Sequence, residues 1–340
     1  MARPRSTGVT VRAIAAEAGV SIATVSRVLN GHAHVTPQTR DAVRGAAERL
    51  GADATFPSAA GRPAGAVLVR CPYVLTDYFG IIVSSITETL DLHGRQVILN
   101  AGEGSRDSSA LAGLADRSGA DGAILILPPE PSGELVALRA RDFPFVVVDP
   151  RTPLPRDIAG VSAAHFAGAR SVTAHLVGLG HRRIGVIGGP DEWMASRSRR
   201  AGHASALADA GVLPSPELIS SVEPTADAGH GAACRLLALP QRPTALVAFN
   251  DKAAVGALRA AHEHGLRVPE DLSIAGFDDD YFSSSVVPSL TTVRQPLEEL
   301  GRMAVSLLTR LMAGHAVEAL HVELATELVV RDSTGPVTHA

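Results

Sequence analysis

From Ala66 onward, short and almost continuously apolar runs recur between stretches of helical periodicity, and this alternation restricts the fold more than any other feature of the chain. The runs are Ala66–Val69, Gln96–Leu99, Gly122–Leu127, Phe145–Val148, Ile184–Ile187, Ala245–Phe249 and Leu272–Ala275. A strand that is apolar on both faces must be covered on both, which is the situation of a central strand in a parallel sheet. Helical stretches at Ile81–Leu92, Ala163–Leu179, Arg199–Ala210, Ala228–Leu239 and Lys252–His264 supply the covering layers. The predicted body is α/β, with two doubly wound parallel-sheet lobes whose binding positions lie beyond the carboxyl ends of the strands.

The first 51 residues follow another pattern. Thr10 is a good N-cap for a helix over Val11–Ala18, with Val11, Ile14, Ala15 and Ala18 on one face and Gly19 at its end. Ser21 caps a second helix, Ile22 to about Leu29, which Asn30-Gly31 closes. Thr36-Pro37 pairs an N-cap with an N1 proline and opens a third helix through Leu50. The core expected for this all-α unit is Val11, Ile14, Val25, Val28, Val43, Ala46 and Leu50.

Two helices joined by a short turn containing glycine make a helix-turn-helix, whose second helix fits the major groove of DNA. The outward residues of that helix are small or polar, as close approach to a duplex requires. Arg27 is suited to a bidentate contact with guanine, and Ile22 and Ala23 to base edges or a thymine methyl. Thr10, Ser21, Thr24 and Asn30 are assigned to phosphate oxygens. From these residues alone, a helical hairpin docked on the body stays open as an alternative.

Charge separates the two parts. Residues 1–51 hold seven arginines against three acids, a balance of +4, whereas the whole chain carries −4, leaving −8 on the remainder. A basic head on an acidic body suits a module that meets a polyanion attached to one that does not.

The stretch Val9-Thr10-Val11-Arg12-Ala13-Ile14-Ala15-Ala16-Glu17-Ala18-Gly19-Val20-Ser21 and onward through Ile22-Ala23-Thr24-Val25-Ser26-Arg27-Val28-Leu29-Asn30-Gly31 resembles the headpiece of the LacI–GalR repressors. Body segments are similar too: Gly178–Ile184, Arg242–Ala245 with Asn250-Asp251, Val268–Asp279 and Pro288–Val293. The resemblance implies a helix-turn-helix headpiece on a type I periplasmic-binding-protein-like pair of lobes. It implies a homodimer on a pseudo-palindromic double-stranded DNA operator, acting as a repressor under allosteric control by a small-molecule effector. A sugar or related polyol is expected; the alternative is a purine, nucleoside or sugar phosphate acting as corepressor. The domains expected are a headpiece at 1–51, a linker at 52–64, an effector and dimerisation domain at 65–333 and a tail at 334–340. Within the domain, one lobe takes 65–160 plus 291–320 and the other 161–290 plus 321–333.

The linker departs from the family pattern. Family members carry a hinge helix with an Ala-Arg-x-Leu element, whose leucine wedges into the minor groove. Gly51–Pro63 is short and lacks leucine, and Phe56 is the candidate substitute wedge.

For the cleft, Arg199 stands where the family carries its effector-binding arginine. Asp149, Asn250, Asp251 and Asp278 follow strands, and Tyr78, Phe79 and Trp193 offer ring faces. Asp251 and Asp278 have helix capping as an alternative, Arg199 a surface ion pair, and Tyr78 and Trp193 simple packing.

No catalytic residue, metal site or cofactor is expected. Gly185–Pro190 is not GxGxxG and is followed by Asp191-Glu192, which would repel a pyrophosphate. His262 and His264 fall on different helix faces, and no Gly-x-Ser-x-Gly elbow occurs. Cys71 and Cys234 belong to no CxxC or Cys/His cluster and read as reduced thiols. Neither a secretory signal nor a membrane-length apolar run is present, so a cytoplasmic location is expected.

Overall fold

The computed structural model describes residues 11–29, 36–50, 64–103, 111, 114, 120–315 and 320–337. The chain divides into two compact units, Met1–Ala64 and Gly65–Ala340.

The first unit contains α1 (Val11–Ala18), α2 (Ile22–Leu29) and α3 (Pro37–Arg49). Gly19 takes a positive φ of 66°, and Val20 N–H donates back to Ala15 O at 3.1 Å, so the first helix ends in a Schellman turn. Ser21 Oγ accepts from Thr24 N at 3.1 Å, and Thr36 Oγ1 accepts from Thr39 N at 3.3 Å, which are N-caps of the second and third helices. The core is Ile14, Ala15, Val25, Val28, Val43, Ala46 and Ala47. Leu50, expected inside, is exposed at the end of α3, and the side chain of Val11 lies outside the described residues. Arg49 Nε reaches Glu17 at 2.9 Å and ties α3 to α1.

The second unit has two lobes. The first is built on β1 (Ala64–Cys71), α4 (Asp77–Leu92), β2 (Arg95–Ala101), β3 (Ala120–Ile126), α5 (Ser132–Arg139), β4 (Phe145–Val148) and β5 (Ala159–Ala163). The second follows with α6 (His165–Gly178), β6 (Ile184–Gly188), α7 (Met194–Asp209), β7 (Ile219–Ser221), α8 (Ala226–Leu237), β8 (Ala245–Ala248), α9 (Asp251–Glu263) and β9 (Ser273–Ala275). The chain closes with β10 (Thr292–Arg294), α10 (Leu297–Met312), β11 (His321–Leu324) and β12 (Glu327–Val329).

The first sheet has the strand order β11-β5-β4-β3-β1-β2 and the second β7-β6-β8-β9. The pairs β1–β3, β3–β4, β4–β5, β5–β11, β6–β7, β6–β8 and β8–β9 are parallel. β10 and β12 pair antiparallel as a separate ribbon. Val293 of β10 and Leu328 of β12 pack with the second lobe and α10 and β11 with the first, so the chain passes between lobes at Ala163–His165, Arg294–Leu297 and Leu324–Glu327. Two expectations are corrected here. His321–Leu324 was placed with the second lobe but pairs with Gly160–Ala163 in the first, and Val161–Ala163 belong to that same strand β5. The apolar run continuing into α6 hides this strand, since periodicity cannot separate a short buried strand from the helix after it. Thr291, placed with the first lobe, bridges Ala275 at the edge of the second.

Each lobe has its own buried clusters. Ile82, Ile86 and Leu90 of α4 meet Leu300, Ala304 and Leu308 of α10 over Val67, Val69, Ile124 and Val146. In the second lobe an alanine-rich set, including Ala232, Ala253, Ala257 and Ala260, lets α8 and α9 approach closely over Ile187 and Leu246. Among the described residues, no helix is long and apolar enough to cross a membrane.

Candidate functional site

In the first unit α2 starts directly at its cap, Ser21, and Ile22 beside it is half exposed. Ser21 Oγ and Thr24 Oγ1 stand 2.8 Å apart, so the cap and the second candidate phosphate contact form one polar cluster at the helix start. Ala23 and Arg27 lie one turn apart on this helix. Thr10, Asn30 and Phe56 lie outside the described residues.

In the second unit a cavity of about 440 Å³ is lined from both lobes. Its walls begin where strands end. Leu127 after β3, Asp149 after β4 and Asp278 after β9 all take positive φ (44°, 47° and 115°), a conformation that non-glycine residues seldom adopt. The backbone turns sharply at these points, and the two carboxylates are aimed into the cleft rather than along their strands.

A continuous set of polar contacts crosses that cleft. Tyr78 Oη donates to Asp149 Oδ2. Asp149 Oδ1 lies 3.3 Å from His165 Nε2 and also accepts from Ala163 N at 3.3 Å. His165 Nδ1 stands 3.3 Å from Arg199 Nη2, which in turn lies 3.7 Å from Asp278 Oδ1. Gln295 Nε2 donates to Asp278 Oδ1 at 2.6 Å, and Arg199 Nη1 donates to Phe249 O. The Arg199 guanidinium is flanked by rings, 3.6 Å from the centre of Phe277 and 4.4 Å from that of Phe249. Arg151 is held similarly, 4.7 Å from the Trp193 ring, and donates to Tyr73 Oη.

The two carboxyls at the strand ends are driven in opposite directions. Burial works to raise Asp149, but His165, Tyr78 and Arg199 together hold it below its ordinary value. Burial raises Asp278 well above the ordinary range; Arg199 opposes that, and Asp280 and Asp251 reinforce it. Burial and the Asp149 charge push the Tyr78 phenol up, so it remains a donor. Asp280 also lines the cavity, and both its oxygens are buried without a hydrogen-bond partner among the described residues. The arrangement offers fixed donors and acceptors and flat apolar faces.

Family models match this architecture at both ends, residues 10–51 with bacterial regulatory proteins of the lacI family and residues 173–334 with a periplasmic binding protein-like domain. The HTH-type transcriptional repressor CytR of Escherichia coli (strain K12) is 33% identical over 342 residues, covering 98% of this chain and 98% of its own. The chain belongs to the LacI family. Its solved LacI-family neighbours include a transcriptional regulator CelR–cellobiose complex, with a TM-score of 0.72 and 31% identity over 97% of this chain and 100% of that one. The lac repressor dimer bound to operator and the anti-inducer ONPF has a TM-score of 0.71 and 29% identity, again over 97% and 100%.

In this LacI-family body, Tyr78, Phe79, Asp149, Trp193, Arg199, Asn250 and Asp278 line this same cavity. Asp251 does not. It is fully buried, accepting from Thr292 Oγ1 at 2.6 Å and from Asp280 N at 2.9 Å, so it supports the strand-end loop from behind. The cap of α9 is Asn250, whose Oδ1 accepts from Ala253 N at 2.9 Å. Sequence reasoning missed Arg151, His165, Phe249, Asp280 and Gln295. Arg151 and Phe249 sat at the ends of runs already recognised as strands. His165 was concealed by the unrecognised strand β5, and Gln295 is brought in only by the passage back to the first lobe.

Proposed function

We propose that this LacI-family regulator is a cytoplasmic, homodimeric repressor that reads a pseudo-palindromic operator with α2 and releases or tightens it when a neutral polyol, in the first place a sugar, enters the cleft. The charge of the cavity wall carries the effector class. With Asp278 held toward its neutral form by burial, four acids (Asp149, Glu192, Glu223, Asp280) face three bases (Arg151, Arg199, Lys252). That excess disfavours a sugar phosphate and leaves Asp149, Asp278 and Asp280 as acceptors for hydroxyl groups, with Arg199 as donor. Tyr78, Phe79 and Trp193 supply flat faces for the apolar side of a ring. A cavity of about 440 Å³ falls within the usual range for a small ligand.

Ligand contacts come from both lobes, so a bound molecule favours one lobe arrangement over another. In a dimer that bias alters the spacing of the two heads, which is coupling through differential affinity for two states.

Thermal unfolding of the full chain against neutral sugars, nucleosides, purines and sugar phosphates tests the assignment. A ligand at 100 times its dissociation constant stabilises the folded form by about 2.7 kcal/mol. A shift with a neutral sugar supports the reading. A shift confined to phosphorylated sugars removes the charge argument, and one confined to nucleosides replaces the sugar with the alternative class.

A further inference from the structure

The outer helical layer of the second lobe gathers three side chains that take no part in the cleft. Helices α8 and α9 pack with their backbones almost in contact. A Cβ built on Gly256 would stand 2.0 Å from Ala226 O, and one on Gly229 would stand 2.5 Å from Ala253 O. His230 and Cys234 lie one turn apart on α8 and so share a face, while Glu263 is the last residue of α9. His230 Nε2 stands 2.6 Å from Glu263 Oε2 and 3.7 Å from Cys234 Sγ. One ligand atom from each of the three lies within 4.8 Å of the others.

The separation of His230 from Cys234 is that of two ligands on a tetrahedral zinc ion, and Glu263 stands close enough to become a third. With bonds of about 2.0 Å to nitrogen and oxygen and about 2.3 Å to sulfur, the N···S distance is about 3.5 Å and the N···O distance about 3.3 Å. The His230–Cys234 pair already has that span. Glu263, whose side chain is half exposed, has only to withdraw by about 0.7 Å, a rotamer adjustment at a helix end. Imidazole, thiolate and carboxylate together suit a borderline-soft divalent ion better than Mg²⁺ or Ca²⁺. Arg259 is the nearest cation, with Nε 3.9 Å from Glu263 Oε1. It also binds Asp227 at 3.1 Å, so it keeps a partner when Glu263 turns toward a metal.

The geometry points to a divalent-cation site of the zinc class at His230, Cys234 and Glu263, with water completing the coordination. The site joins α8 to α9 on the surface of the second lobe. The N-caps of those same helices, Thr225 and Asn250, line the effector cavity. A metal here fastens together two elements that carry cleft residues. This corrects the expectation that Cys234 belongs to no Cys/His cluster: His230 lies one helical turn before it, and the third member, Glu263, comes from the neighbouring helix.

The test uses the untagged full chain, dialysed against a chelator and titrated with Co²⁺. The expected result is one ion per chain with a thiolate-to-cobalt charge-transfer band in the near ultraviolet, abolished by one equivalent of Zn²⁺. Cys234→Ser should lose the band. His230→Ala and Glu263→Gln should each weaken Co²⁺ binding at least about tenfold, since even loss of a group that merely orients a ligand costs 10–100-fold. All three variants should keep the parent circular dichroism spectrum. No thiolate band in the parent chain, a band that persists in Cys234→Ser, or unchanged affinity in both His230→Ala and Glu263→Gln would overturn the site.

Discussion

His165 Nε2 stands 3.3 Å from Asp149 Oδ1, and this pair joins an element of the second lobe to a strand end of the first. Through its other ring nitrogen His165 meets Arg199, so the cleft is bridged by side chains that also line it. A ligand inserting its own hydroxyls among these groups competes with contacts across the lobes, which gives a direct route from binding to lobe position.

Replacing Arg199 with lysine should abolish the thermal shift given by the effector while leaving operator binding intact. Lysine keeps the charge but lacks the planar fork that lies over Phe277 and reaches Phe249 O and Asp278 together. Differential scanning fluorimetry with and without ligand reads the first property and DNA anisotropy the second. A full ligand shift in Arg199→Lys would remove Arg199 from the site.

Stability should respond to pH through Asp280, which burial pushes up to about 6. An unfolded aspartate titrates near about 3.9, so between these values the folded chain holds the proton more tightly and stability is lost as pH rises. Asp280→Asn removes that loss. Its advantage over the parent should be absent at about pH 4, grow with pH and become level above about pH 6.5, reaching at least about 2 °C in Tm. A difference independent of pH would show that Asp280 is charged throughout. Asp251, raised to about 7 by burial and further by the Asp280 charge, titrates lower in Asp280→Asn, which adds to the variant's advantage in the same direction.

Arg70 and Glu130 form an ion pair at 2.6 Å with only 1% of each side chain exposed. Glu130→Gln leaves a guanidinium buried opposite a neutral amide, and the expected cost is about 3–5 kcal/mol. Denaturant unfolding measures it. A cost below about 1 kcal/mol would mean that the arginine finds a full replacement for the carboxylate.

Much of the fold was legible because its signals are local. Ser21 and Thr36 cap where their side chains indicate, Gly19 reverses the chain, and continuous apolar runs such as Phe145–Val148 become central strands. What escaped was set by distant pairing. His321–Leu324 alternates in burial like an edge strand and gives no hint of its neighbour, which is β5. The same limit governs the cleft. Of the four candidates that follow a recognised strand, Asp149, Asn250 and Asp278 line the cavity, as do Tyr78, Phe79, Trp193 and Arg199. Asp251 has the same sequence context as Asn250, yet it points behind the loop toward Thr292, a difference that only the tertiary backbone decides.

On the DNA side, Arg27→Ala should weaken operator binding by about 1–3 kcal/mol and relax discrimination at one base pair. Binding to a set of single-substituted operators measures this. Uniform weakening across the set would assign Arg27 to a phosphate instead.

The decisive measurement is operator affinity of the full chain, by fluorescence anisotropy on a site selected from random duplexes, with and without a saturating effector found by thermal shift. An allosteric regulator should show at least about a fivefold change, with the operator altering effector affinity by the same factor. Identical operator affinity in both conditions would contradict control of the head by the cleft.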